Sequence, residues 1–302
     1  MPSPNVLVAV PTAGRRKALF ALIDFLAAER SKAGANFDFV VLVNAPEVSD
    51  SLTRLSKSTE FTIRHVPEPG LATVRNAALD AAADYDFVAF VDDDEVPVSP
   101  WPRNLVDAAD TWAADVAMGS IVGKVDGDLP WWMSGPELIR PTLTDEPGRY
   151  DGEVYSSNTL IRMSKVTELG LHFNTEFNTS GAEDTDFFRR LRLGGGTVVW
   201  VPNATVIETL DADRMRLSWY LHRCASESAM LWILDGREGA PRRRSRTLAR
   251  RLARTGRGLG RIIGGTVTLN TARGVAGLSD LATAGGTFAA AVGWRPAGYA
   301  QP

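Results

Sequence analysis

Through the first two-thirds of the chain, short apolar runs alternate with stretches whose apolar residues recur every three or four positions. That alternation predicts an α/β domain with a mainly parallel central sheet and helices on both faces. Asn5–Val10 reads as a strand halted by Pro11, and Arg15–Glu29 as a helix with Leu19, Leu22, Ile23 and Leu26 along one side. Phe37–Val43 and Phe61–Val66 are further buried strands, with an Ala-rich helix over Gly70–Ala83. Phe87–Val91 is the central strand and runs directly into Asp92-Asp93-Asp94-Glu95. Pro97 and Pro100 then break the chain before a helix over Trp101–Trp112, and Val116–Val122 is another strand. From Gly123 to Gly152 no period shows, and a loop of that length in a compact domain is usually functional. Structure resumes over Tyr155–Arg162, followed by a helix at Glu183–Leu193. Strands at Thr197–Val201 and Ala204–Glu208 precede a closing helix over Asp213–Leu234.

Beyond Gly236 the texture changes, which sets a boundary between a 1–236 body and a 237–302 tail. Leu248, Leu252, Thr255, Leu259 and Ile262 recur at helical steps with arginines between them, a basic amphipathic helix weakened by Gly256, Gly258 and Gly260. The longest uncharged run that follows, Leu281–Trp294, is 14 residues. That is short of the roughly 20 a spanning helix needs.

Composition narrows the class. With 44% hydrophobic and 23% charged residues the chain is neither disordered nor a polytopic membrane protein. One cysteine, Cys224, and three scattered histidines leave carboxylates as the only plausible metal ligands. No basic leader with an apolar stretch opens the chain, so a reducing, cytoplasmic home is expected. The net charge of −3 divides into −13 for Met1–Gly236 and +10 for Arg237–Pro302, where 12 arginines face only Glu238 and Asp280. A tail of that kind expects an anionic partner.

Two acidic constellations carry candidate chemistry. Ligands of open α/β sheets gather outside the carboxyl ends of the strands, where Asp92–Glu95 lies. The cluster is either a solvated turn or an oxygen-only site for Mg²⁺ or Mn²⁺ bridged to phosphate. Val96 and Pro97 exclude an EF-hand loop. Gly181-Ala182-Glu183-Asp184-Thr185-Asp186 opens a helix, and its acids either complement the helix dipole or include a general base. Trp131 and Trp132 in the long loop either stack on a sugar ring, touch a lipid head group or anchor the loop.

Five segments in order resemble the family 2 glycosyltransferases, inverting enzymes of the Rossmann-like GT-A fold. They are Val6–Thr12 with Arg15 just after, Gly70–Asn76, Val91–Glu95, Asn158–Arg162 and Gly181–Phe187. The resemblance implies a nucleotide-diphosphate sugar donor and an Mn²⁺ or Mg²⁺ cofactor. Pro11, Thr12, Arg15 and Arg75 would line the nucleotide, with Asp92 and Asp93 on the ribose and diphosphate side. Asp92 and Asp94 would hold the metal, and Asp184 would deprotonate the acceptor hydroxyl with Glu183 orienting it. Trp131, Trp132 and Asn158 would lie on the acceptor side. Two departures stand out: Asn44 replaces an aspartate pair and would still contact the nucleobase, whose identity it leaves open, and Glu208 stands where many members carry a histidine. Glu208 is either a metal ligand or a plain surface glutamate.

The expected activity is therefore metal-dependent sugar transfer with inversion, in polysaccharide or glycolipid assembly, onto a lipid-linked or glycan acceptor. The rivals are a phosphohydrolase with Asp92 as nucleophile and a non-catalytic sugar-nucleotide-binding scaffold. The tail reads as a peripheral module for the anionic inner face of the cell membrane, or as a helix covering the acidic body. The acidity of that body opposes nucleic acid as a partner.

Overall fold

The computed structural model of the chain describes residues 4–14, 16–32, 36–59, 61–133, 143–237 and 241–296. The chain divides into two compact units, one formed by residues 1–123, 140–178 and 183–209, the other by 124–139, 179–182 and 210–302.

The first unit is built on a sheet whose strands are, in chain order, β1 (Val6–Thr12), β2 (Phe37–Val43), β3 (Thr62–His65), β4 (Phe87–Phe90), β5 (Glu95–Pro97), β6 (Val116–Lys124), β7 (Gly148–Arg149), β8 (Thr159–Arg162) and β9 (Val198–Thr209). Their spatial order is β3-β2-β1-β4-β8-β6-β9-β5, with β7 also paired to β9. β3, β2, β1 and β4 run parallel, whereas β8 meets both β4 and β6 antiparallel. This is the α/β sheet that the pattern predicted, parallel in its first half.

Alternate residues of each strand belong to opposite cores, which is what a sheet buried on both faces requires. Val6, Val8 and Val10 pack with Leu19, Leu22, Ile23 and Leu26 of α1 (Arg16–Arg30) and with Trp101 and Leu105 of α4 (Trp101–Thr111). Leu7 and Ala9 face the other way, toward α3 (Leu71–Ala81), α5 (Met163–Leu169) and α6 (Glu183–Leu193). A further helix, α2 (Asp50–Thr59), follows β2. Sequence reasoning did not mark α2, nor the short elements α5 and β5.

Two expected breaks are absent. β1 continues through Pro11 to Thr12, because its pairing with β4 ends at Ala9–Phe90 while its pairing with β2 goes on to Thr12–Val43. Thr12 O accepts from Asn44 N on the β2 side, so the missing N–H of Pro11 faces the side where β4 has already ended. Likewise Val198–Thr209 is one strand rather than two. Pro202 falls between the stretches paired with β7 and β5, where that edge demands no N–H.

The second unit holds α7 (Leu217–Arg237), α8 (Pro241–Val267) and α9 (Thr271–Ala291). α8 and α9 meet along a glycine seam. A Cβ on Gly258 would lie 2.9 Å from Gly277 O, and one on Gly277 2.6 Å from Gly258 O. Gly286 abuts Ala225 O of α7 in the same manner. The glycines that lower helix propensity thus allow backbone-to-backbone packing. Asp280, buried in α9, receives Arg254 Nε at 2.5 Å and Arg261 Nη1 at 2.7 Å. The single apolar stripe expected for α8 resolves into two faces: Leu248 packs against the Ala229, Trp232 and Ala290 cluster, while Leu252 and Leu259 are exposed. Among the described residues no helix is long and apolar enough to cross a membrane.

Candidate active site

The acidic turn after β4 sorts its four carboxylates by alternation. Glu95 N–H donates to Asp92 O at 3.1 Å, and Asp92 N–H donates to Glu95 Oε2 at 3.0 Å, closing the turn from both sides. Ser157 Oγ donates to the other oxygen of Glu95, which is fully buried. Asp93 is buried too, and accepts Thr12 Oγ1 at 2.5 Å. Gly14 N–H donates back to Thr12 Oγ1 at 3.0 Å, so the end of β1 and the acidic turn are tied together. Asp92 and Asp94 remain half-buried, the two positions that a D-x-D spacing singles out.

Arg75 is tied to α6 and lies in the field of Asp92 of this turn. Its buried guanidinium forms an ion pair with Glu183 Oε1 and sits 5.8 Å over the Phe173 ring. Phe173 stacks on Phe187 at 4.3 Å, which fixes the platform under the cation. Burial alone would push the Arg75 pKa down. The fields of Glu183, Asp184 and Asp92 outweigh it, so the net direction is up and Arg75 stays charged. Burial raises the Glu183 carboxyl, Arg75 opposes that, and Asp184 adds to it; the net direction is up. Glu183 Oε2 is buried with no hydrogen-bond partner among the described residues. Asp184, half-buried beside it, accepts Thr185 N–H at 2.7 Å through Oδ1. Gly181 and Ala182 enter α6 with φ of 75° and 73°, the latter a strained value for alanine.

The loop before α3 is held by amides. Asn44 Nδ2 donates to Val66 O and Glu68 O at 2.8 and 2.6 Å, and its Oδ1 accepts Gly70 N–H at 3.0 Å. The Asn44 amide is therefore engaged with that loop. Gly70 has φ +140°, and a Cβ there would fall inside the Asn178 amide, which in turn bonds Thr73 N–H and Oγ1. Asn76 bridges both backbone groups of Phe173, accepting at 2.7 Å and donating at 2.9 Å, so it supports the ring beneath Arg75.

Other candidates are placed elsewhere. Asn158 is fully buried with φ 51°; its amide donates to Ser120 O and Ala204 O and accepts Trp101 Nε1 at 2.6 Å. That side chain fastens β8 to β6, β9 and α4, and it presents nothing to an acceptor. The tandem tryptophans separate: Trp132 is buried, stacks on Tyr220 at 5.5 Å and donates to Met215 O, while Trp131 is 78% exposed. Pro11 is half-buried at the end of β1, and Arg15 lies outside the described residues. Glu208 is buried directly across the β5–β9 ladder from Glu95. Ser157 and Asn178 were not singled out by sequence reasoning, since their partners are distant in the chain.

Among the described residues no three acidic, histidine or cysteine side chains form a ligand group by themselves. The donor set at the turn is oxygen-only. It suits a hard divalent cation that takes its remaining ligands from a diphosphate, rather than an all-protein cage.

A half-parallel sheet with an acidic turn at the end of its central strand, facing an acid-headed helix, defines a GT-A-type glycosyltransferase. The chain belongs to glycosyl transferase family 2, whose model matches residues 7–170. It is 33% identical over 162 residues to the succinoglycan biosynthesis protein ExoM of Rhizobium meliloti (strain 1021), covering 53% of this chain and 51% of that protein. The chain thus spans about half the length of that relative. Among solved structures, S. aureus TarS 1-349 in complex with UDP-GlcNAc matches with TM-score 0.51 and 17% identity, covering 74% of this chain and 66% of that one. GalNAc-T7 with UDP, GalNAc and Mn²⁺ matches with TM-score 0.58 and 13% identity, covering 76% and 51%. Both are likenesses of fold. Glu183 and Asp184 lie beyond the matched 7–170 segment, so their placement rests on this chain's own geometry.

Proposed function

We propose that the chain transfers a sugar from a nucleoside diphosphate sugar to an acceptor hydroxyl with inversion, in the assembly of a polysaccharide or glycolipid. The observation that carries this reading is Arg75, paired with Glu183 and lying in the fields of Asp184 and Asp92. Its charge thus answers acids of both the donor-side turn and the acid-headed helix. The relative named for succinoglycan biosynthesis supports the polysaccharide assignment, and the fold neighbours named with UDP and UDP-GlcNAc support the donor class.

In this mechanism Thr12 and Asp93 brace the nucleotide end of β1, and Asn44 holds the adjoining loop in shape. Asp92 and Asp94 would hold a divalent cation whose remaining ligands come from the diphosphate. Such a cation, when bound, neutralises charge developing on the departing diphosphate. Asp184 takes the proton of the acceptor hydroxyl as its oxygen attacks the anomeric carbon opposite the leaving group. One carboxylate suffices, because the attack is a single displacement. Glu183, already bonded to Arg75, orients the first turn of α6. Residues 1–236 are assigned to catalysis and 237–302 to an accessory role, and the exposed Trp131 remains available to an acceptor.

Calorimetric titration of UDP with and without Mn²⁺ tests the donor side. Binding is expected to tighten at least about tenfold with the metal, an effect worth about 1.4 kcal/mol. Asp94→Ala should erase the difference. Equal affinity in both conditions for the unaltered protein would remove the metal from the mechanism.

A further inference from the structure

We propose that the α8–α9 hairpin docks on an anionic lipid surface through an aliphatic stripe that the fold leaves uncovered. Leu252, Leu259, Ile263 and Val267 of α8, and Leu269 in the following turn, are between 51% and 91% exposed. At 3.6 residues per turn the four helical positions fall within about 80° of one another around the axis. Gly258 and Gly265, which meet α9, lie on a different side of the helix. The stripe is therefore an additional apolar face, separate from the packing seam.

Charge points to the occupant. Arg250 and Arg257 are exposed on α8 beyond the small residues that border the stripe, and no ion-pair partner for them exists among the described residues. Arg273, also exposed, brings its guanidinium against Gly264 near the hairpin tip. The acid in this hairpin, Asp280, is 2% exposed and already bonded to Arg254 and Arg261. A second copy seated stripe to stripe would bring the two sets of arginines together. An acidic protein surface would match the arginines but leave the aliphatic side chains in water. A lipid surface with anionic head groups accommodates both, as interfacial helices do: apolar side chains enter the acyl boundary and arginines reach the head groups. The +10 charge of residues 237–302 acts in the same direction.

The test is flotation of the full chain with vesicles of phosphatidylcholine alone and of phosphatidylcholine with phosphatidylglycerol, at low and high salt. The unaltered protein should float with the anionic vesicles at low salt and lose most of that binding at high salt. Arg250→Gln and Arg257→Gln should each weaken binding by about fivefold, and Ile263→Asp with Val267→Asp by at least about tenfold. Both sets of changes are on exposed positions, so circular dichroism and UDP binding should be unchanged. Flotation with UDP binding lost would leave docking standing and put the sugar-transfer reading in doubt; UDP binding without flotation would do the reverse. Docking is overturned if the protein fails to float on anionic vesicles, or if the double aspartate variant floats undiminished. It is equally overturned if gel filtration shows a dimer that the aspartates dissociate, because a second copy then covers the stripe.

Discussion

Asp184→Asn is expected to lower sugar-transfer turnover by a factor on the order of 10² to 10⁴ while leaving donor affinity unchanged. An asparagine oxygen still accepts the Thr185 N–H bond, so the first turn of α6 keeps its shape and only the basic group is lost. Neighbouring acids are poorly placed to take over. Glu183 is buried against Arg75, and Asp186 is bonded to Arg190 Nε at 2.9 Å. In the proposed mechanism the donor contacts lie at the β1 and β4 ends, which the substitution does not touch. Steady-state kinetics beside calorimetry separates the two effects. Turnover close to that of the unaltered enzyme would move the proton acceptor to Glu183 or Asp186.

Arg75→Met is expected to destabilise the first unit by about 3–5 kcal/mol, because it leaves the Glu183 carboxylate buried and unpaired. One Glu183 oxygen already lacks a partner among the described residues, so the guanidinium is its principal compensation. Replacing both residues, as Arg75→Met with Glu183→Met, should recover most of the loss, since a well-packed apolar pair removes both charges. The single variant should also acquire a pH dependence of definite sign. Burial already raises the Glu183 carboxyl above its ordinary value of 4.5, and loss of Arg75 removes the main opposing influence. A raised carboxyl binds its proton more tightly in the folded state than in the unfolded chain. The deficit is therefore least below that ordinary value and grows as pH rises through the raised one. Thermal melts at acidic and neutral pH measure it; a deficit independent of pH would mean that the carboxylate is relieved by water or by rearrangement.

Much of the fold was legible because burial on two faces imposes a readable period. Val6, Val8 and Val10 alternate with Leu7 and Ala9, and the same alternation recurs in β2. The acidic turn was legible as chemistry because four successive carboxylates at a strand end have few structural uses. Periodicity reports a face, however, and not the partner on it. Asn158 looked like a polar acceptor contact, yet its amide is taken by Trp101, Ser120 and Ala204, 57, 38 and 46 residues away along the chain. The three bonds of Asn44 to the loop before α3 likewise become visible only once β2 and β3 are paired. The tandem Trp131-Trp132 could not be divided in advance, because adjacent loop residues carry no period to say which of them turns inward. In α8 the expected stripe merged two faces, since glycine packs closely without adding hydrophobicity to the pattern.

The glycine seam between α8 and α9 has a thermodynamic consequence. Where backbones touch directly, helices associate while hiding little hydrocarbon; the buried positions of α9 are mostly Gly, Ala, Ser and Thr, with Val275 and Asp280 among them. The heat capacity of unfolding follows the apolar area newly exposed to water and is reduced by polar exposure. Calorimetry should therefore find the α8–α9 hairpin contributing well below the ordinary ~12–15 cal/mol/K per residue. Its denaturant sensitivity should be shallow in proportion. Its stability curve would then be broad and flat, with the same seam holding across a wide span of temperature.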